Sequence, residues 1–150
     1  MNIRQATPQD RAEWLRMRAT LWPECPPDMQ SAEMDDYAVG EDLAVFVAVR
    51  PDGGLGGFLE ASLRPSADGC DTRPVGYVEG WYVDPDLRRQ GIGSLLVAAA
   101  EEWAREKGCQ EMASDCLLEN DVGLVAHLSL GYEEVERLIH FRKSLRPDRD

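Results

Sequence analysis

The chain has 150 residues, with 28 acidic against 16 basic side chains and a formal net charge of −12. That length fits one domain, residues 1–150, with a sizeable core, and the charge argues against nucleic acid or an anionic membrane as the main partner and suits a cationic one. The cysteines Cys25, Cys70, Cys109 and Cys116 show no C-x-x-C or zinc spacing, and His127 and His140 are too scattered for a metal site. Reduced thiols, no metal and, with no signal core or run of about 18 apolar residues, a cytoplasmic location are expected.

Residues 2–6 read as a short strand. Thr7 then offers an N-cap, Pro8 a first helical position and Asp10 a first-turn carboxylate. Ala12, Leu15, Ala19 and Trp22 recur at helical spacing until Pro23, Pro26 and Pro27 end the pattern. Trp22 stands at the mouth of the following loop, as core packing or as a ring platform for a ligand. The acidic stretch 28–42 reads as a second helix. Residues 43–50 and 55–64 pair as a hairpin across Pro51-Asp52-Gly53-Gly54.

After a loop rich in Pro, Gly, Asp and Ser, residues 75–83 form a long strand in which Gly80 invites a bulge. Ile92, Leu95, Leu96, Ala99, Trp103 and Ala104 line one face of a helix closed by Lys107 and Gly108. Residues 109–115 read as a strand and 120–130 as a helix. Residues 132–144 are a final strand, with Val135, Arg137, Ile139 and Phe141 alternating with Glu134, Glu136, Leu138 and His140. The polar tail after Leu145 is expected to fray. The order predicts an α+β fold: a mixed, mostly antiparallel sheet flanked by about four helices.

Between the long strand and the next helix lies Arg88-Arg89-Gln90-Gly91-Ile92-Gly93. Glycines let the backbone turn so that its N–H groups converge on an anion, and the helix start adds its positive dipole end. A Walker A loop would need Gly-Lys-Ser/Thr, and a dinucleotide fingerprint a third glycine where Leu96 stands, so both are excluded.

The spacing Arg-x-x-Gly-x-Gly, behind a strand and opening a helix, resembles the acetyl-CoA pyrophosphate loop of the GNAT superfamily of N-acetyltransferases, and the element order matches that fold from end to end. The resemblance implies acetyl-CoA as co-substrate. Its pyrophosphate would rest on Arg88, Arg89, Gln90, Gly91, Ile92, Gly93 and Ser94, and its acetyl arm beside Trp81, Tyr82 and Val83, where a backbone N–H polarises the thioester carbonyl. Asn120 matches a residue that holds the pantetheine or thiol end, and reads equally as a helix N-cap.

A narrower resemblance rests on Leu21-Trp22-Pro23, on residues 74–80, on Met112-Ala113-Ser114-Asp115 and on Leu130-Gly131-Tyr132-Glu133-Glu134-Val135-Glu136-Arg137. Together these look like the short aminoglycoside 6'-N-acetyltransferases. The likeness assigns Trp22, Glu79, Asp115 and Glu136 to a cationic acceptor's cleft, and it implies a homodimer. Carboxylates pair with ammonium groups and an aromatic face covers a ring or a cation. Glu79 or Asp115 is the candidate base. His127, four residues before Gly131, takes the place of a tyrosine that protonates the departing thiolate. The sequence departs from the subfamily in the loop Arg64-Pro65-Ser66-Ala67-Asp68-Gly69, which is one residue short and lacks an aromatic ring. Two other readings stay open: an acetyltransferase for another amine (polyamine, small metabolite or protein N-terminus), and a non-catalytic acyl-CoA-binding module.

Overall fold

Why the sheet runs as it does follows from two buried faces. The computed structural model describes residues 1–148; the expected fraying of the tail falls partly on residues 149–150, outside the described residues. The elements are β1 (Asn2–Gln5), a 3-10 turn (Pro8–Asp10), α1 (Arg11–Leu21), α2 (Pro27–Val39), β2 (Leu43–Val49), β3 (Leu55–Arg64), β4 (Val75–Val83), a second 3-10 turn (Pro85–Leu87), α3 (Ile92–Glu106), β5 (Met112–Ser114) and α4 (Asp121–Ser129). The strands lie in chain order, antiparallel from β1 to β4, with β5 parallel to β4. A parallel neighbour requires a crossover, and α3 supplies it.

One sheet face, with Phe46, Leu59, Ala61 and Val78, packs on α3 through Leu96, Val97, Ala100 and Trp103. The other, with Val45, Val47, Phe58 and Tyr82, packs on Trp14 and Met17 of α1 and Met34 of α2. β2 and β3 are therefore apolar on both sides and read as nearly continuous hydrophobic runs.

Helix α1 corrects the expected stripe. Leu15 and its neighbours Ala12 and Ala19 face outward, while Trp14, Met17 and Arg18 are buried. Arg18 is 1% exposed because Glu60, 2% exposed on β3, accepts from its Nη1 at 2.6 Å and from Trp14 Nε1 at 2.9 Å. An apolar count reads a buried arginine as surface, so the face was set one position off. In α3 Leu95 is likewise exposed, and Val97 and Ala100 complete the stripe.

The last strand is also corrected. Residues 132–144 form no strand, and Val135, Leu138, Ile139 and Phe141 are all exposed. Alternation makes a strand only where a sheet edge offers hydrogen bonds, and β5, an edge strand, has shrunk from the expected 109–115 to three residues.

The bulge expected at Gly80 is present. Glu60 pairs with Gly80 and Ala61 with Val78, which leaves Glu79 as the extra residue. Beyond it, Asp84 fixes the end of β4: buried, it accepts from Arg16, Arg50 and the Tyr82 hydroxyl.

Candidate active site

At the end of β4 the chain leaves the sheet through an exposed loop. Arg89 has φ 64° and Gly91 φ 81°, both left-handed, and Gly91 is the N-cap of α3. Nothing lies within 4 Å of a Cβ built on Gly91, so the glycine is required by its backbone angle and not by crowding. The first-turn N–H groups of Ile92, Gly93 and Ser94 have no acceptor within the helix, which fits an anion. Ile92 contributes backbone alone, since its side chain is in the core. Arg88 folds back, donating from Nε to the Val83 carbonyl at 2.9 Å, and Gln90 Nε2 donates to the Asp86 carbonyl at 3.2 Å. Of the expected basic pair, Arg89 is exposed and makes no side-chain hydrogen bond or ion pair among the described residues.

Next to this loop β4 and β5 separate. Their pairing covers Gly76 to Val78 against Met112 to Ser114, and beyond Val78 the β5-side edge of β4 has no strand partner among the described residues. The open stretch includes Trp81, Tyr82 and Val83. Trp81 lies on the α3 side, its Nε1 donating to the Gly93 carbonyl at 3.2 Å, and Tyr82 is buried on the opposite face. Asn120 caps α4, its side-chain oxygen accepting from the Gly123 N–H at 2.9 Å.

On the α1 and α2 side, Trp22 closes α1 and lies over the bulge: a Cβ at residue 80 would come 2.4 Å from its ring. Phe58 meets the ring edge-on at 6.2 Å, the Arg18 guanidinium stands 4.7 Å from its centroid, and Gln30 Nε2 donates to its carbonyl at 3.2 Å. Trp22 is thus both packed and displayed. It lines two adjoining cavities, one of about 820 Å³ shared with Glu33, Asp36, Glu60 and Glu79, and one of about 1390 Å³ shared with Asp115 and Glu136.

The structure therefore distributes the expected acceptor residues over two lobes that meet at Trp22. Glu79 accepts from Arg64 in a bidentate pair at 2.9 and 2.8 Å and from Ser62 Oγ at 2.6 Å. Glu79 raises the Arg64 guanidinium further above its ordinary value, so this cation is charged at any working pH. The same guanidinium stacks 3.4 Å from the Tyr77 ring centre, and Tyr77 donates its hydroxyl to Asp115. Burial, reinforced by that bond to Asp115, pushes the Tyr77 hydroxyl up. Glu136 is exposed on the C-terminal segment.

Ser62, Arg64 and Tyr77 were not singled out by sequence. The signal was present in the period of two: Ser62 and Arg64 share a face of β3, and Tyr77 and Glu79 share one on β4. On the other face, His127 Nε2 lies 2.7 Å from Ser114 Oγ, and its Nδ1 lies 2.6 Å from the Gly123 carbonyl. The ring sits edge-on to Trp81 at 5.4 Å and to Tyr132 at 5.9 Å.

An anion cradle at a helix start, set beside a strand whose edge opens at a bulge, defines an acyl-transferase architecture. Residues 11–132 match the family model described as the acetyltransferase (GNAT) family, and the chain belongs to that family. Within it, the chain is 44% identical over 146 residues to an aminoglycoside N(6')-acetyltransferase type 1 of Klebsiella aerogenes, covering 95% of this chain and 96% of the relative. A protein of the same name from Stenotrophomonas maltophilia is 41% identical over 146 residues, covering 97% and 94%. Among solved structures, AAC(6')-Iy in complex with the bisubstrate analog CoA-S-monomethyl-acetylneamine superimposes with a TM-score of 0.90 at 40% identity, covering 95% of this chain and 97% of that one.

Proposed function

We propose that this chain, acting as one domain, transfers the acetyl group of acetyl-CoA to the 6'-amine of an aminoglycoside by direct attack of the amine on the thioester. The observation that carries the reading is the carboxylate-lined cavity that brings Asp115 and Glu136 together with Trp22, Tyr77 and His127. The full-length similarity to proteins named for this activity supports it.

In this mechanism the N–H groups of Ile92, Gly93 and Ser94 hold the pyrophosphate, and the unpaired backbone edge of residues 81–83 receives the acetyl arm. A fixed donor there, facing the oxygen on which charge develops, contributes on the order of 3 kcal/mol. On the acceptor side Trp22 covers a sugar ring, and Asp115 and Glu136 meet ammonium groups. Asp115 is the better base, because Glu79 is already engaged by Arg64 and Ser62, whereas Asp115 keeps an oxygen open beside its bond to Tyr77.

That resident guanidinium, together with the loop that lacks an aromatic at Ser66, favours a second reading: an acceptor with fewer ammonium groups than a drug. Thiol release from acetyl-CoA separates the two. The proposed function requires faster release with aminoglycosides bearing a 6'-amine than with 6'-hydroxyl analogues. No such difference, with good turnover of spermidine or a peptide amine, establishes the second reading instead.

Two further points belong to the proposal. The exposed Val135, Leu138, Ile139, Phe141 and Leu145 give a second copy of the chain an apolar strip to cover, so the protein works as a homodimer, testable by light scattering. Its place is the cytoplasm, in keeping with four free cysteines.

A further inference from the structure

We infer that Ser114 and His127 form a proton shuttle that takes the proton leaving the attacking nitrogen and delivers it to the sulfur of the departing thiol. The inference rests on the acetyl-transfer reading above but not on which amine is the acceptor. The expected role of His127, direct protonation of the thiolate, meets an obstacle in the geometry. Gly123 offers a carbonyl, which only accepts, so Nδ1 carries a hydrogen whether the ring is neutral or charged. In the neutral ring Nε2 is then the lone pair, and the group facing it at 2.7 Å is the Ser114 hydroxyl, which must donate. His127 reaches the reaction only through Ser114.

The placement of Ser114 makes it the reacting end of the pair. It is the last residue of β5 paired to β4, opposite Val78, and so stands where the two strands part. Met112, two residues earlier on the same face, packs with the α3-side core, and Ser114 follows it toward α3 and α4. Asp115 turns to the other face, to Tyr77. The end of β5 thus presents a carboxylate to the acceptor side and a hydroxyl to the thiol side. Ser114, Asp115 and His127 line one cavity.

The protons balance. The ammonium loses its first proton to Asp115, and from there to solvent. The free amine attacks, forming the N–C bond, and the adduct holds nitrogen and sulfur on one carbon, so one group can serve both. Ser114 accepts the second nitrogen proton as it passes its own to His127 Nε2. As the C–S bond breaks, the imidazolium returns a proton through the same hydroxyl to sulfur. Amide, free thiol and an enzyme in its starting state result, with one proton released overall. The groups facing the imidazole from packed elements are Ser114 of β5, Trp81 of β4 and Tyr132 after α4, whose hydroxyl donates to Glu101 of α3 at 3.1 Å.

Single-turnover rates and kcat should be measured for Ser114→Ala, Ser114→Thr, His127→Gln and the Ser114→Ala/His127→Gln double variant, using every amine that the wild type accepts. Ser114→Ala and His127→Gln should each lower the chemical rate by about 100-fold, with acetyl-CoA affinity by calorimetry unchanged. The double variant should be no slower than either single one, because the two act as a unit. Ser114→Thr keeps the hydroxyl and should recover most of the rate, which separates the shuttle from loss of packing. Both single variants should lose the same ionisation from the pH profile, and the loss should be equal for all amines. A Ser114→Ala rate within twofold of wild type, multiplicative losses in the double variant, or a defect confined to acetyl-CoA binding would each overturn the shuttle. If aminoglycosides fail as acceptors while another amine turns over, the acceptor assignment falls and this test still runs with that amine.

Discussion

The loop from Arg88 to Ser94 and the cluster around Glu79 lie at the two ends of one bulged strand segment, and they are built from different material. The loop is backbone: two left-handed residues, the second of them the Gly91 N-cap, and the first turn of α3. Its geometry is determined within about ten residues of sequence. The cluster is side chains brought from four elements: Trp22 after α1, Ser62 and Arg64 on β3, Tyr77 and Glu79 on β4, and Asp115 after β5. Local chain chemistry is enough for the first. The second exists only once the sheet is in register, so its residues depend on buried groups far from them.

The largest expected effect breaks that dependence at its base. Arg18→Met leaves the Glu60 carboxylate, 2% exposed, without its buried cation and removes the guanidinium beside the Trp22 ring. Breaking a buried pair from one side costs about 3–5 kcal/mol, and urea unfolding should register a loss of that size. Gly91→Val comes next and addresses the other region alone. A β-branched residue at φ 81° is strained by roughly 1–3 kcal/mol unless the loop rearranges. Since the position is otherwise uncrowded, the fold should survive while acetyl-CoA affinity, measured by calorimetry, falls about 100-fold. Normal affinity in a folded Gly91→Val protein would sink the pyrophosphate assignment.

The same division decides what the sequence disclosed. Helix α3, the hairpin of β2 and β3, the long strand β4 and a bulge at Gly80 were legible, because periodicity and glycine placement are local signals. The face of α1 was not: Arg18 is buried by partners 12 and 42 residues away, Gln30 and Glu60, and no apolar pattern marks it. Residues 132–144 alternate like a strand, yet strand formation needs an edge that the sequence cannot supply. In the candidate site, Glu79, Asp115 and Trp22 were chosen by resemblance and are found around adjoining cavities. That Glu79 is held by Arg64 depends on the β3–β4 register, which the sequence suggests only through the period of two.

A smaller effect sharpens the contrast on the acceptor side. Asp115→Asn keeps the shape and the Tyr77 contact but removes the charge. A charge-assisted contact to a ligand cation is worth roughly 1.5–3 kcal/mol, so the acceptor KM should rise at least about tenfold, and kcat should fall if Asp115 is the base. Acetyl-CoA affinity should stay within twofold. A comparable loss in both would mean that the two regions are not separable, and the division drawn above would fail.

The smallest effect tests the tie between them. Burial alone would raise the Asp84 carboxyl, but hydrogen bonds from Arg16, Arg50 and Tyr82 together hold it below the usual carboxylate range. An aspartate in the unfolded chain titrates near 3.9. A carboxyl whose value is lowered by folding contributes stability that is fully present above the unfolded value and is lost as pH falls through the folded one. Arg16 is well exposed, so solvent screening keeps the contribution to about 1 kcal/mol. Urea midpoints of wild type and Asp84→Asn should therefore differ by a constant amount above about pH 4 and converge below it. A difference that widens on acidification would mean that the Asp84 carboxyl is raised by burial rather than lowered by its partners, and that the end of β4 is held by something other than this ion cluster.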